Sequence, residues 1–68
     1  MKHTIKFDQI KENAKKGIAI YQYELAEQHI KEKEYAEAIY WLQKASQQGF
    51  YPAQERLTDV IKYGLRRK

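Results

Sequence analysis

Cysteine is absent from this chain, glycine occurs three times, and proline and serine occur once each. Without cysteine, neither a disulfide nor a thiolate zinc site can hold a small fold together. Long apolar runs are also missing: nothing approaches the roughly 20 apolar residues of a membrane helix. The first residues lack the apolar core of a secretory signal. We expect a cytoplasmic protein without a membrane span, although a mature chain released from a leader would have the same pattern.

Groups that carry enzymatic or metal chemistry are scarce as well. The histidines are His3 and His29, and neither has a second histidine or cysteine at helical spacing to complete a metal site. Ser46 is the only serine, there is no glycine-rich phosphate loop, and the carboxylates fall into helical charge patterns. We expect no enzymatic activity, no cofactor and no metal, with His29 as a packed or half-exposed side chain.

The length and the charge limit the architecture. A chain of 68 residues forms one small domain, whose core contributes about 3–5 kcal/mol of net stability. The formal net charge is +4, and much of it lies at the two ends, including Lys62 and residues 66–68. We divide the chain into a flexible N-terminus (1–7), a folded helical-repeat domain (8–64) and a basic tail (65–68).

Glycine marks the ends of helix-period segments, as expected of left-handed C-caps. Gly17, Gly49 and Gly64 each follow such a segment, and Pro52 suits the first turn of a helix. Four helices are predicted, with Asp8 as the first N-cap: residues 8–16, 18–31, 35–48 and 52–63. Because short connections make neighbouring helices antiparallel, the predicted fold is all-α, with stacked antiparallel helical hairpins.

The chain also repeats itself internally. A shift of 32 residues superimposes Gly17 on Gly49, Gln22 on Gln54, Leu25 on Leu57, Ile10 on Leu42 and Ala14 on Ser46. A tryptophan, a glycine and several small residues recur at fixed spacing in one run: Ala38, Trp41, Lys44, Ala45, Ser46, Gly49, Ala53, Gln54 and Leu57. This run resembles the Sel-one-like repeat, a relative of the tetratricopeptide repeat. The resemblance implies a short α-solenoid fragment of four helices, composed of a half, a full and a half repeat.

The resemblance is incomplete in three places. Tyr21 stands where the family has a small alanine, and Thr58 stands where it has a glycine. The family's insertion between the two helices is missing, and residues 31–38 are instead similar to the tight turn of a tetratricopeptide repeat. These departures concern the angle between repeats rather than the helical hairpin itself.

In the resembled families, the first helix of each hairpin lines a concave surface that binds proteins. By that resemblance the partner-binding residues are Tyr23, Glu27 and Lys31 on the second helix, and Glu55, Asp59 and Tyr63 on the fourth. Glu27 and Lys31 also have the spacing of a local ion pair, and Tyr23 and Tyr40 are expected to be exposed. A mostly acidic strip flanked by tyrosines suits a basic peptide or a basic protein surface. An ordinary solvated helix surface is the alternative interpretation.

These observations favour a protein–protein interaction module that acts as an adaptor, inhibitor or regulator. With so few repeats, we expect an uncovered apolar end, and therefore a homodimer or an obligate partner. The alternative is a small nucleic-acid-associated protein that uses its basic C-terminal tail. Salt distinguishes the two, because phosphate-driven binding weakens steeply as the salt concentration rises.

Overall fold

The computed structural model describes residues 7–64, and all four predicted helices are present in that range. They are α1 (Phe7–Lys15), α2 (Ala19–Lys31), α3 (Tyr35–Gln47) and α4 (Tyr51–Asp59), and a π-helical turn (Val60–Gly64) continues α4. The all-helical prediction is confirmed. No helix within residues 7–64 combines the length and the apolar character needed to cross a membrane. His3, the remainder of the N-terminal segment before Phe7, and the basic tail lie outside the described residues.

Two predicted helix ends are corrected. Phe7 belongs to α1 rather than to the N-terminal segment, so Asp8 lies in the first helical turn and is not the N-cap. A carboxylate there still interacts favourably with the positive end of the helix dipole. Gly64 lies within the π-helical turn and does not follow the helix as a cap.

Consecutive helices pack side by side, and the contacts are dominated by alanine. The main core contains Ala26, Ala38, Leu42, Ala45, Ala53 and Val60, all of which are buried. A second cluster contains Ile10, Ala14 and Leu25. Trp41 is half-buried and packs against both clusters. Because alanine side chains are small, the helices approach closely, and Leu42 is the only large side chain among the described residues that is fully buried.

The three connections share one geometry, in which the second residue after the helix has a left-handed backbone conformation. The φ angles are 93° at Gly17, 62° at Lys33 and 83° at Gly49. Two backbone hydrogen bonds close each turn, as in a Schellman motif. The left-handed residue donates its N–H to the carbonyl three residues earlier, which belongs to Ala14, Ile30 or Ser46. The next residue donates its N–H to the carbonyl five residues earlier, which belongs to Asn13, His29 or Ala45. The predicted glycine caps are confirmed at Gly17 and Gly49, and Lys33 adopts the same conformation without a glycine.

Lys33→Gly is expected to stabilise the chain by about 0.5–1 kcal/mol. A left-handed conformation costs a side-chain-bearing residue roughly 1–2 kcal/mol, which is partly offset by the greater freedom of glycine in the unfolded chain. The reverse substitution, Gly49→Ala, should cost about 1 kcal/mol, because no atom lies within 4 Å of the added Cβ and only backbone strain acts. Urea denaturation measures both changes. A loss of stability in Lys33→Gly would contradict the left-handed turn.

Candidate functional site

Two of the predicted binding residues form a contact between α2 and α4. The carboxylate of Glu27 accepts two hydrogen bonds from the Arg56 guanidinium, at 2.8 Å from Nε and 3.3 Å from Nη2. The Tyr23 ring meets the Phe50 ring edge-on, with centroids 5.5 Å apart. We call these four residues, Tyr23, Glu27, Phe50 and Arg56, the α2–α4 contact. Tyr23 is half-buried within it, contrary to the prediction that it is exposed, whereas Tyr40 is exposed as predicted.

The electrostatics of the α2–α4 contact follow from this geometry. Burial, and then the neighbouring Glu27 carboxylate, raise the pKa of Tyr23, against the opposing effect of Arg56. The hydrogen bonds to Glu27 raise the pKa of Arg56. Both charged side chains remain partly exposed, at 37% for Arg56 and 29% for Glu27, so solvent screening limits the pair to about 1 kcal/mol at most. The predicted local pair with Lys31 is not formed, because Glu27 is engaged by Arg56.

The other four predicted residues are exposed. Lys31, Glu55, Asp59 and Tyr63 lie on the surface of α2, α4 and the π-helical turn. Tyr63 carries the Lys62 ammonium over its ring, 5.8 Å from the centroid. Within residues 7–64, neither Lys31 nor Tyr63 forms a salt bridge with the other predicted residues. Of the six predicted residues, Tyr23 and Glu27 therefore belong to the α2–α4 contact. The other four are exposed to solvent.

The solvent-facing surface of α4 and the turn after it is mostly polar. We call Tyr51, Gln54, Glu55, Thr58, Asp59 and Ile61 the α4 outer face; all six are exposed. Tyr51 and Ile61 are its large apolar members, with 74% and 45% of their surface accessible. The other four members are polar.

A polar network lies near the connection between α1 and α2, and the sequence analysis does not predict it. Gln22 is buried, and its Nε2 donates to the carbonyl of Ala14 at 3.1 Å. Gln48 donates through Nε2 to Gln22 Oε1 at 3.0 Å and to the carbonyl of Gly17 at 2.8 Å. The network joins the end of α3 to the turn between α1 and α2. Its only sequence signal is a glutamine at a buried helical position.

The structure bears on the predictions for metal ligands and for His29. No group of three His, Cys, Asp or Glu side chains that could hold a metal ion occurs in residues 7–64. His29 is partly buried and its Nδ1 lies 2.8 Å from a carboxylate oxygen of Glu34, in agreement with the prediction of a packed or half-exposed histidine. One open, shallow depression lies on the polar side of α1, lined by Asp8, Gln9, Glu12, Asn13 and Lys16.

Comparison with known proteins gives no match to this chain. No protein-family model matches it, and no significant match is found among curated proteins or among solved structures. The resemblance to the Sel-one-like repeat therefore depends on the motif residues alone.

Proposed function

We propose that this chain is a cytoplasmic helical-repeat interaction module that binds another protein through the surface around the α2–α4 contact. In this proposal α2 and α4 are equivalent first helices of successive Sel-one-like repeats, and the four helices form a short solenoid fragment. The module acts as an adaptor, an inhibitor or a regulator by occupying a surface of its partner.

The observation that carries the proposal is the ordered α2–α4 contact with free carboxylates beside it. Arg56 is held by Glu27 through two hydrogen bonds. Glu55 and Asp59 are exposed on the same helix as Arg56, and neither forms a salt bridge within residues 7–64. Asp59 nevertheless adds to the rise in the pKa of Arg56 that the hydrogen bonds to Glu27 cause. A surface with fixed side chains loses little conformational entropy on binding, and the free carboxylates favour a partner with a basic surface.

The charge distribution disfavours nucleic acid as the ligand of the folded region. Residues 7–64 contain nine acidic and eight basic side chains, a net charge of −1, and the remaining five basic residues lie outside them. A phosphate backbone requires clustered Lys and Arg. Nucleic-acid binding would thus depend on the chain ends, and it would weaken as salt is added.

The test is an affinity capture from host lysate that compares wild type with the triple variant Glu55→Lys, Asp59→Lys, Tyr63→Ala. All three positions are exposed, so the variant is expected to keep its helical circular dichroism spectrum and its melting temperature. We expect a protein captured by wild type to be lost in the variant.

A second variant, Glu12→Lys, Asp8→Lys, changes the charge equally on the exposed side of α1 and should retain the captured protein. Capture that is equal in all three chains, or no capture by wild type, would contradict the proposed surface. Nucleic acid recovered at low salt and released at high salt would support the alternative function.

A further inference from the structure

The α4 outer face lacks a partner within the described part of the chain, and two of its side chains carry like charges. Glu55 and Asp59 lie one helical turn apart, where like charges mildly destabilise a helix. Neither forms a salt bridge within residues 7–64, although Asp59 interacts electrostatically with Arg56, one turn away on α4. Tyr51 and Ile61, also exposed, belong to the same face. The nearby cation Lys62 lies against the ring of Tyr63 and does not neutralise the two carboxylates by pairing.

The molecule contains an example of how such a face is used. Arg56 of α4 reaches α2 through its side chain and pairs there with Glu27. The 32-residue shift that superimposes the two halves of the sequence places Asp59 at the position of Glu27 and Glu55 at the position of Tyr23. The α4 outer face therefore presents a carboxylate at the position where α2 uses one to hold an arginine from the fourth helix.

A second copy of this chain is a poor occupant. If the α2 of another copy reached α4 as Arg56 reaches α2, its Glu24 would take the position of Arg56. Glu24 would then lie opposite Asp59, and like charges opposed across an interface are unfavourable. Charge complementarity requires a cation at that point.

We propose that the α4 outer face binds an amphipathic helix of a different protein that carries arginine or lysine residues one helical turn apart. The cations pair with Asp59 and Glu55, and an apolar side chain next to the cation at Glu55 packs on Tyr51, which lies one helical turn before Glu55. This inference rests on the proposed interaction function and specifies the chemistry of the partner.

The test uses the full chain labelled with nitrogen-15 and a stapled alanine-based helical peptide with two arginines four residues apart and one leucine. We expect amide shifts confined to residues 51–61, and binding that weakens as salt rises. Glu55→Gln with Asp59→Asn should weaken binding at least about tenfold, the usual effect of losing charge-assisted hydrogen bonds. Glu24→Gln, an exposed acid outside this face, is the matched control and should bind as wild type does.

Three outcomes would overturn the inference. One is an absence of shifts at millimolar peptide, and another is equal binding of a peptide with citrulline in place of both arginines. The third is a set of shifts on this face that appears with protein concentration alone, which would identify a second copy as the occupant. Shifts located at the α2–α4 contact instead would refute this face while leaving the proposed function standing, whereas failure of the lysate capture would refute the function itself.

Discussion

An alanine in place of Leu42 is expected to lower the free energy of unfolding by about 2–5 kcal/mol, the usual range for truncating a buried leucine. Leu42 has no accessible surface and lies in the main core with four alanines. The alanine side chains are too short to fill the space that the substitution would leave. A core of this size contributes only about 3–5 kcal/mol of net stability, so the variant is expected to be largely unfolded.

Thermal melts followed by circular dichroism measure this effect. Ile20→Ala is the matched control, because it removes a side chain of the same volume from a position with 47% of its surface exposed. The control should melt within a few degrees of wild type. A Leu42→Ala variant as stable as the control would contradict the helix register, in which Leu42 faces the core.

The helices and their turns can be predicted because their causes are local. Gly17 and Gly49 end α1 and α3 by adopting φ values that favour glycine, and the apolar periodicity of each helix depends on its own residues. The turn at Lys33 can also be located from sequence, although its residue type gives no sign of a left-handed conformation. Lys33 adopts the left-handed conformation at a cost in backbone energy, whereas Gly17 and Gly49 adopt it freely in the same kind of turn.

The binding residues can be predicted only in part, because their contacts join distant positions. Local spacing indicates a pair between Glu27 and Lys31, but Glu27 pairs with Arg56, 29 residues away. A guanidinium that donates two hydrogen bonds to one carboxylate outcompetes a single flexible ammonium. Phe50, just before α4, covers Tyr23 as well, so the exposure of Tyr23 cannot be read from α2 alone.

The number of helices packed against each helix also explains why residues superimposed by the 32-residue shift differ in burial. Gln22 and Gln54 are equivalent under the 32-residue shift, yet Gln22 is buried and Gln54 is exposed. The difference arises because α2 is covered by helices on more sides than α4. The same residue type is therefore buried at position 22 and exposed at position 54.

Gln22→Glu is expected to destabilise the chain by about 2–4 kcal/mol at neutral pH, because it places a carboxylate in a buried site without a cation; the hydrogen bond from Gln48 compensates only part of this cost. The Nε2 group of Gln22 donates to the carbonyl of Ala14 at 3.1 Å, and a carboxylate oxygen there would meet the carbonyl oxygen with no proton between them. Gln54→Glu is the matched control, since the same change at an exposed position should alter stability by less than about 0.5 kcal/mol.

The pH dependence identifies the cause of this loss. Burial without a cation raises the folded-state pKa of the introduced carboxyl group above its unfolded value of about 4.3. The variant is therefore most stable, relative to wild type at the same pH, below that value, where the protonated acid can again donate to Ala14. The deficit grows as pH rises from the unfolded pKa through the folded-state pKa. Urea denaturation of both variants between about pH 4 and pH 8 measures it, and a deficit in Gln22→Glu that is independent of pH would show that lost packing, rather than the buried charge, is responsible.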